Sequence, residues 1–129
     1  MNAIIIAAGS GKRISNDVKN IPKSMVKVNG RSIIEYQLSV LNKAGINEVY
    51  AITGPYSEKF NIKNIKYVKD EEYENHDILG SLMEARKYFE KNTLILYSDI
   101  IFELKIIEKI MNSKEDISIA VDMNFFSWI

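Results

Sequence analysis

Cationic side chains gather just after a glycine-bearing turn near the start of the chain. The run Ala7-Ala8-Gly9-Ser10-Gly11-Lys12-Arg13 is followed by a further cation at Pro22-Lys23. Gly9 and Gly11 let the backbone pass close to a ligand. Successive N–H groups in such a turn form an anion-binding concavity. Lys12, Arg13 and Lys23 add fixed positive charge, as a triphosphate requires. Far downstream, Asp99 follows the apolar run Leu94-Ile95-Leu96-Tyr97. A carboxylate there can hold Mg2+ between phosphate oxygens, one or two carboxylates sharing the ion with substrate. The competing reading is that Asp99 caps a following turn or helix. Gly80 and Ser81 open a helical stretch, where a base or ribose could approach without side-chain obstruction. The competing reading is a capping box, Ser81 with Glu84 three residues on, which needs no ligand.

These residues need elements to position them. Residues 2–8 read as a central parallel strand, apolar on both faces, that delivers the glycine loop to one edge of a sheet. Val26-Lys27-Val28 alternates, and Asn29-Gly30 is a tight-turn signal. Residues 32–44 carry Ile33, Ile34, Leu38, Leu41 and Ala44 at helical spacing, with Gly45 placed to end the helix. Strands are expected over 48–53, 65–68 and 93–97, and a short helix over 56–60. A helix starting at 80–81 turns Leu82, Ala85 and Phe89 inward, another spans 103–111, and a last strand covers 117–121. Residues 69–79 read as polar and irregular, with the acidic run Asp70–Glu74 a solvated loop, and His76, the only histidine, shows no partner in the sequence. Met83 and Met111 read as packing residues. Alternating strands and helices predict a three-layer α/β/α sandwich on a mostly parallel, Rossmann-like sheet. Ligands of such sheets sit outside the carboxyl ends of the strands, where the loop after residue 8, the loop before Gly80, and Asp99 all fall.

Three phosphate-loop patterns compete for the first motif. The Walker pattern needs a glycine where Ile6 stands and a hydroxyl where Arg13 stands. The dinucleotide pattern meets Ile14 in place of its third glycine. The third pattern fits throughout: Ala-Ala-Gly-x-Gly-x-Arg, a short loop, then Pro-Lys resembles the signature of nucleotidyltransferases that join an NTP to a phosphorylated small molecule. Asn75 with Ile78-Leu79-Gly80-Ser81-Leu82-Met83-Glu84-Ala85, then Leu96-Tyr97-Ser98-Asp99-Ile100-Ile101-Phe102, and Val121-Asp122 near Trp128 are similar to the phosphocholine and phosphonate cytidylyltransferase branch. The resemblance implies that Arg13 and Lys23 grip the phosphates and that Asp99 binds Mg2+, although Ser98 replaces a frequent glycine. It implies nucleotide contacts from Ala7, Ala8, Gly9, Gly11, Gly80 and Ser81; Lys12 can assist, although the family's pattern does not require it. It also implies an NTP substrate, CTP favoured, and a small phosphorylated acceptor such as phosphocholine, a phosphonate or a sugar 1-phosphate.

Composition bounds the alternatives. The chain has 129 residues, 17 basic and 17 acidic, with 47% hydrophobic residues, which suits one domain with a real core. Zero formal net charge gives no general pull toward nucleic acid or a membrane surface. Cysteine is absent, which excludes disulfides, thiolate metal sites and a cysteine nucleophile. No basic region precedes the first apolar run, and no run approaches the ~20 residues of a membrane span, so a cytoplasmic protein is expected. The family resembled is nearly twice as long and carries a second metal-binding aspartate in its later half. Residues 1–129 therefore read as the nucleotide-binding portion of a nucleotidyltransferase domain, incomplete at the C-terminus. The apolar ending Phe125-Phe126-Ser127-Trp128-Ile129 marks a surface for self-association into a homo-oligomer. A non-catalytic nucleotide-binding module is the alternative function.

Overall fold

The computed structural model describes residues 1–9 and 21–124. The expected contributions of Gly11, Lys12 and Arg13, and the tail from Phe125 to Ile129, lie outside the described residues.

Strand β1 (Asn2–Ala7) is the centre. Its neighbours are β4 (Val49–Thr53) on one side and β6 (Thr93–Tyr97) on the other, both parallel to it. Strand β5 (Lys66–Lys69) pairs in parallel with β4, giving the order β5-β4-β1-β6. The chain thus steps outward on one side of β1 and then returns to its other side. That reversal places a topological switch point beside β1, and ligands of open parallel sheets bind outside the carboxyl ends near such a point. A separate antiparallel hairpin joins β2 (Lys27–Val28) to β3 (Arg31–Ser32). Its turn residues Asn29 and Gly30 both have positive φ, 51° and 81°, as a type I′ turn demands.

Period-2 alternation sorts the sheet's side chains into two cores. Ala3, Ile5, Ala7, Leu94 and Leu96 face α1 (Ile33–Lys43) and α3 (Leu104–Met111), packing with Ile34, Leu41 and Ile107. Ile4, Tyr50 and Ile52 face α2 (Ile78–Glu84) and the turn after it, packing with Ala85, Leu82 and Tyr88. The result is the expected three-layer α/β fold. Helix α1 is closed at both ends. Ser32 and Glu35 form a capping box at its start. At its end Gly45 (φ 82°) donates to the Asn42 carbonyl, and Ile46 donates to that of Leu41, a Schellman arrangement. Among the described residues no helix is long and apolar enough to cross a membrane.

Four expectations are corrected. Residues 117–121 form no strand; Ile117, Ile119 and Val121 are 82%, 80% and 70% exposed. Alternation supplies a strand's side-chain pattern but not its partner, and the described sheet ends at β6. Helix α2 begins one turn earlier than expected. Its N-cap is Asp77, whose side chain accepts from the Gly80 amide at 2.8 Å. Ser81 therefore lies inside the helix and is not its cap. Phe89 also falls beyond the helix and is 41% exposed, so it is not part of the inward face.

Candidate nucleotide site at the carboxyl edge

Four strand ends meet at one edge of the sheet. Ala8 and Gly9 follow β1, Gly54 follows β4, Asp70 follows β5 and the Ser98–Asp99 turn follows β6. A cleft of about 760 Å³ opens there on the α2 side. Its lining includes Ala8, Gly9, Tyr56, Tyr73, His76 and Ser81. Ala7 itself is buried in the strand and Gly80 sits behind His76, so neither lines the cleft directly.

The other predicted residues come together on the β6 side of β1. Lys23 opens a short 3₁₀ turn (Lys23–Met25), and its Nζ lies 3.9 Å from Oδ2 of Asp99. Pro22 in extended conformation leads into that turn, and the Val26 amide donates to the Lys23 carbonyl to close it. Both charged side chains remain open, 32% exposed for Lys23 and 52% for Asp99. An ammonium and a carboxylate held apart at this distance in water attract only weakly, so both are free to engage phosphate and cation.

The most structured part of the cleft wall leaves no mark in the local sequence pattern. Asp70 is fully buried. One oxygen accepts the Ser81 hydroxyl at 2.7 Å and the other the Glu72 amide at 2.9 Å; His76 Nδ1 lies 3.0 Å from both. Burial pushes the Asp70 carboxyl up, but the Ser81, His76 and Glu72 donors together outweigh it and hold the group below its ordinary value. The same hydrogen bond to Asp70 raises His76, against a smaller opposing effect of desolvation, with Glu84 and Glu72 adding in the same direction. An ionised carboxylate only accepts, so Nδ1 carries the proton and Nε2 is the ring atom left to a ligand. Gly80 makes room for this ring: a Cβ there would lie 2.9 Å from His76 Cγ and Cδ2. The run Asp70–Glu74 is thus not simply a solvated loop.

Gly54, which follows β4, has a role in the site that strand punctuation alone does not show. A Cβ at Gly54 would sit 2.4 Å from the Ala8 carbonyl oxygen. The chain leaving β4 therefore packs directly on the backbone that enters the glycine loop. Such a contact admits no side chain.

Among the described residues at this edge, two places offer carboxylates to a divalent ion. Asp70, His76 and Glu84 bring ligand atoms within 4.8 Å of one another. The Asp70 oxygens there already serve three donors, so the cluster is satisfied without an ion. Asp99 is the open carboxylate. A single exposed carboxylate suits Mg2+, which keeps most of its shell for water and substrate phosphates.

Residues 3–124 match the model of the MobA-like NTP transferase domain. The chain is 32% identical to a CTP:phosphoglutamine cytidylyltransferase of Campylobacter jejuni, over 97% of this chain and 54% of that protein. It is 33% identical to a choline-phosphate cytidylyltransferase of Streptococcus pneumoniae, over 80% of this chain and 47% of that one. Its fold superposes on a solved CTP:phosphocholine cytidylyltransferase from Streptococcus pneumoniae with a TM-score of 0.72 at 29% identity, covering 81% of this chain and 49% of the other. The chain spans about half the length of these relatives.

Proposed function

The chain belongs to the MobA-like NTP transferase domain family, and from that premise we propose that it binds a nucleoside triphosphate, CTP favoured, for transfer of the nucleotidyl group to a small phosphorylated acceptor. The observation that carries the reading is the meeting of Lys23 and Asp99 beside the end of β1, at the switch point of a parallel sheet. The base and ribose occupy the cleft against Ala8, Gly9 and Ser81, with Ala7 and Gly80 shaping it from behind. Gly11, Lys12 and Arg13 belong to the glycine loop; Arg13 binds the β- and γ-phosphates and Lys23 neutralises charge at the α-phosphate. Asp99 would hold Mg2+, which supplies further charge neutralisation to the phosphates.

The reaction needs little acid–base chemistry. An acceptor phosphate or phosphonate oxygen, already anionic, forms a bond to the α-phosphorus in line. The bond from the α-phosphorus to the oxygen bridging the β-phosphate breaks, and pyrophosphate leaves with that electron pair. Catalysis is then positioning plus charge stabilisation, which Lys23 and Arg13 provide. A cytoplasmic location fits such chemistry on small phosphorylated metabolites.

The test is pyrophosphate release from each of four NTPs with Mg2+, against phosphocholine, an aminoalkylphosphonate and a sugar 1-phosphate. Release that depends on both NTP and acceptor supports transfer. CTP binding without release supports the nucleotide-binding module instead, and hydrolysis of an NTP alone contradicts both.

A further inference from the structure

Helix α1 carries one buried polar side chain that its packing does not require. Gln37 is 1% exposed in a helix face otherwise built from Ile34 and Leu41. Its Nε2 donates to the Tyr97 carbonyl at 2.7 Å and to the Ile100 carbonyl at 2.8 Å. Those carbonyls bracket Ser98 and Asp99. The two hydrogen bonds thus pin both ends of the turn that displays Asp99 onto a rigid helix. The amide's orientation follows from its partners, because only an NH₂ group can donate to two carbonyls. Its Oε1 is buried with no hydrogen-bond partner among the described residues, which is unfavourable. An apolar residue of similar length would avoid that penalty but would take this donor away from both carbonyls.

The same helix also holds the Lys23 turn. The 3₁₀ turn packs against α1, and the Ile33 amide at the helix start donates to the Val26 carbonyl that ends the turn. Ser24, next to Lys23, is fully buried. The capping box of Ser32 and Glu35 fixes the first helical turn between these two attachments. Lys23 and Asp99 come from segments far apart in sequence. Helix α1 is the element bonded to both.

We propose that Gln37 is a positioning residue of the nucleotide site: it sets the Asp99 carboxylate against Lys23 so that a metal–triphosphate complex meets both. This rests on the nucleotidyltransferase reading above. Gln37 touches neither nucleotide nor ion and acts through the Tyr97–Ile100 turn.

The experiment is calorimetric titration of CTP into the full chain, with Mg2+ and with EDTA. Wild type gains affinity when Mg2+ is present, and Asp99→Asn loses that gain. Gln37→Met, equal in length and without donors, keeps the metal-free CTP affinity and loses about 10–100-fold of the affinity with Mg2+, the range for residues that orient a metal ligand. Ile34→Val, a packing change on the same helix, lowers stability and leaves the Mg2+ gain intact. If circular dichroism shows Gln37→Met unfolded, Gln37→Asn, which withdraws the amide by one methylene, shows the same selective loss. A full Mg2+ gain in folded Gln37→Met, or in Gln37→Asn, overturns the proposal. A full gain in Asp99→Asn removes the metal reading, and the proposal with it. CTP binding absent from wild type under both conditions removes the nucleotide reading itself.

Discussion

Asp70→Asn is the substitution whose consequences can be worked furthest. The carboxylate is fully buried and receives a hydroxyl, a backbone amide and an imidazole N–H. Asparagine keeps the shape and one acceptor oxygen, but turns an NH₂ group toward donors that it cannot satisfy. A hydrogen bond to a charged group contributes about 1.5–3 kcal/mol, and losing one acceptor oxygen removes at least one such bond, so the substitution costs about 2–3 kcal/mol. For a chain between the size classes for which the conversion is known, about 4 °C per kcal/mol is reasonable, a fall in Tm of about 8–12 °C. The pH dependence follows from the two directions of shift. Asp70 is held below its ordinary 3.8, so its contribution is present above that value and is lost as pH falls through the lowered one. His76 is raised above its ordinary 6.5, so its contribution is complete below that value and is lost as pH rises through the raised one. The difference between wild type and Asp70→Asn is therefore largest between pH 3.8 and 6.5 and shrinks on the alkaline side. Urea and thermal melts followed by circular dichroism from pH 4 to 9 measure both. A loss within the ~0.5 kcal/mol of an ordinary surface substitution, or a difference that grows with pH, refutes the reasoning.

Gly54→Ala drives a Cβ into the Ala8 carbonyl, and overpacking of this kind costs about 1–3 kcal/mol. Because Ala8 lines the cleft, CTP affinity falls as well; an unchanged Tm and affinity would mean that the contact relaxes freely. Lys23→Ala and Asp99→Asn lower nucleotidyl transfer by about 10²–10³-fold, the effect of removing one charge-stabilising group. They change stability by less than about 1 kcal/mol, since the pair is exposed and separated by 3.9 Å; paired turnover and melting measurements separate the two effects. Ser32→Ala removes the α1 capping box and costs about 1 kcal/mol by urea melt, whereas equal stability would leave the cap without energetic content.

How far the sequence reads the molecule depends on whether a feature is local. Strand β1 is continuous apolar chain, and Asn29-Gly30 needs positive φ at two successive residues. Both report themselves without help from the rest of the fold. Asp99 was legible because an acidic residue directly after an apolar run lands at the carboxyl edge. Asp70 stands in the same relation to β5, but it was submerged in the acidic run that follows. The Ser-x-x-Glu pattern occurs at both 32–35 and 81–84, and only the first is a cap. What distinguishes them is Asp77 one turn earlier and Asp70 bonded directly to Ser81, a tertiary partner that spacing cannot show. The strand expected at 117–121 failed for the same reason, since its ladder partner is not in the segment itself. Gln37 drew no notice in the sequence, because the carbonyl partners that give it a role lie 60 and 63 residues away.

The central claim is that the carboxyl edge of the sheet, at the end of β1, receives the nucleotide. Titrating CTP and Mg2+ into ¹⁵N-labelled protein tests it directly. Saturable shifts of the Ala8, Gly9, His76, Ser81 and Asp99 amides are the expected result. The smaller cleft at the opposite edge, lined by Asn47, Glu48, Asn64 and Lys66, stays silent. Saturable shifts at Asn47, Glu48, Asn64 and Lys66 with none beside β1 would contradict it.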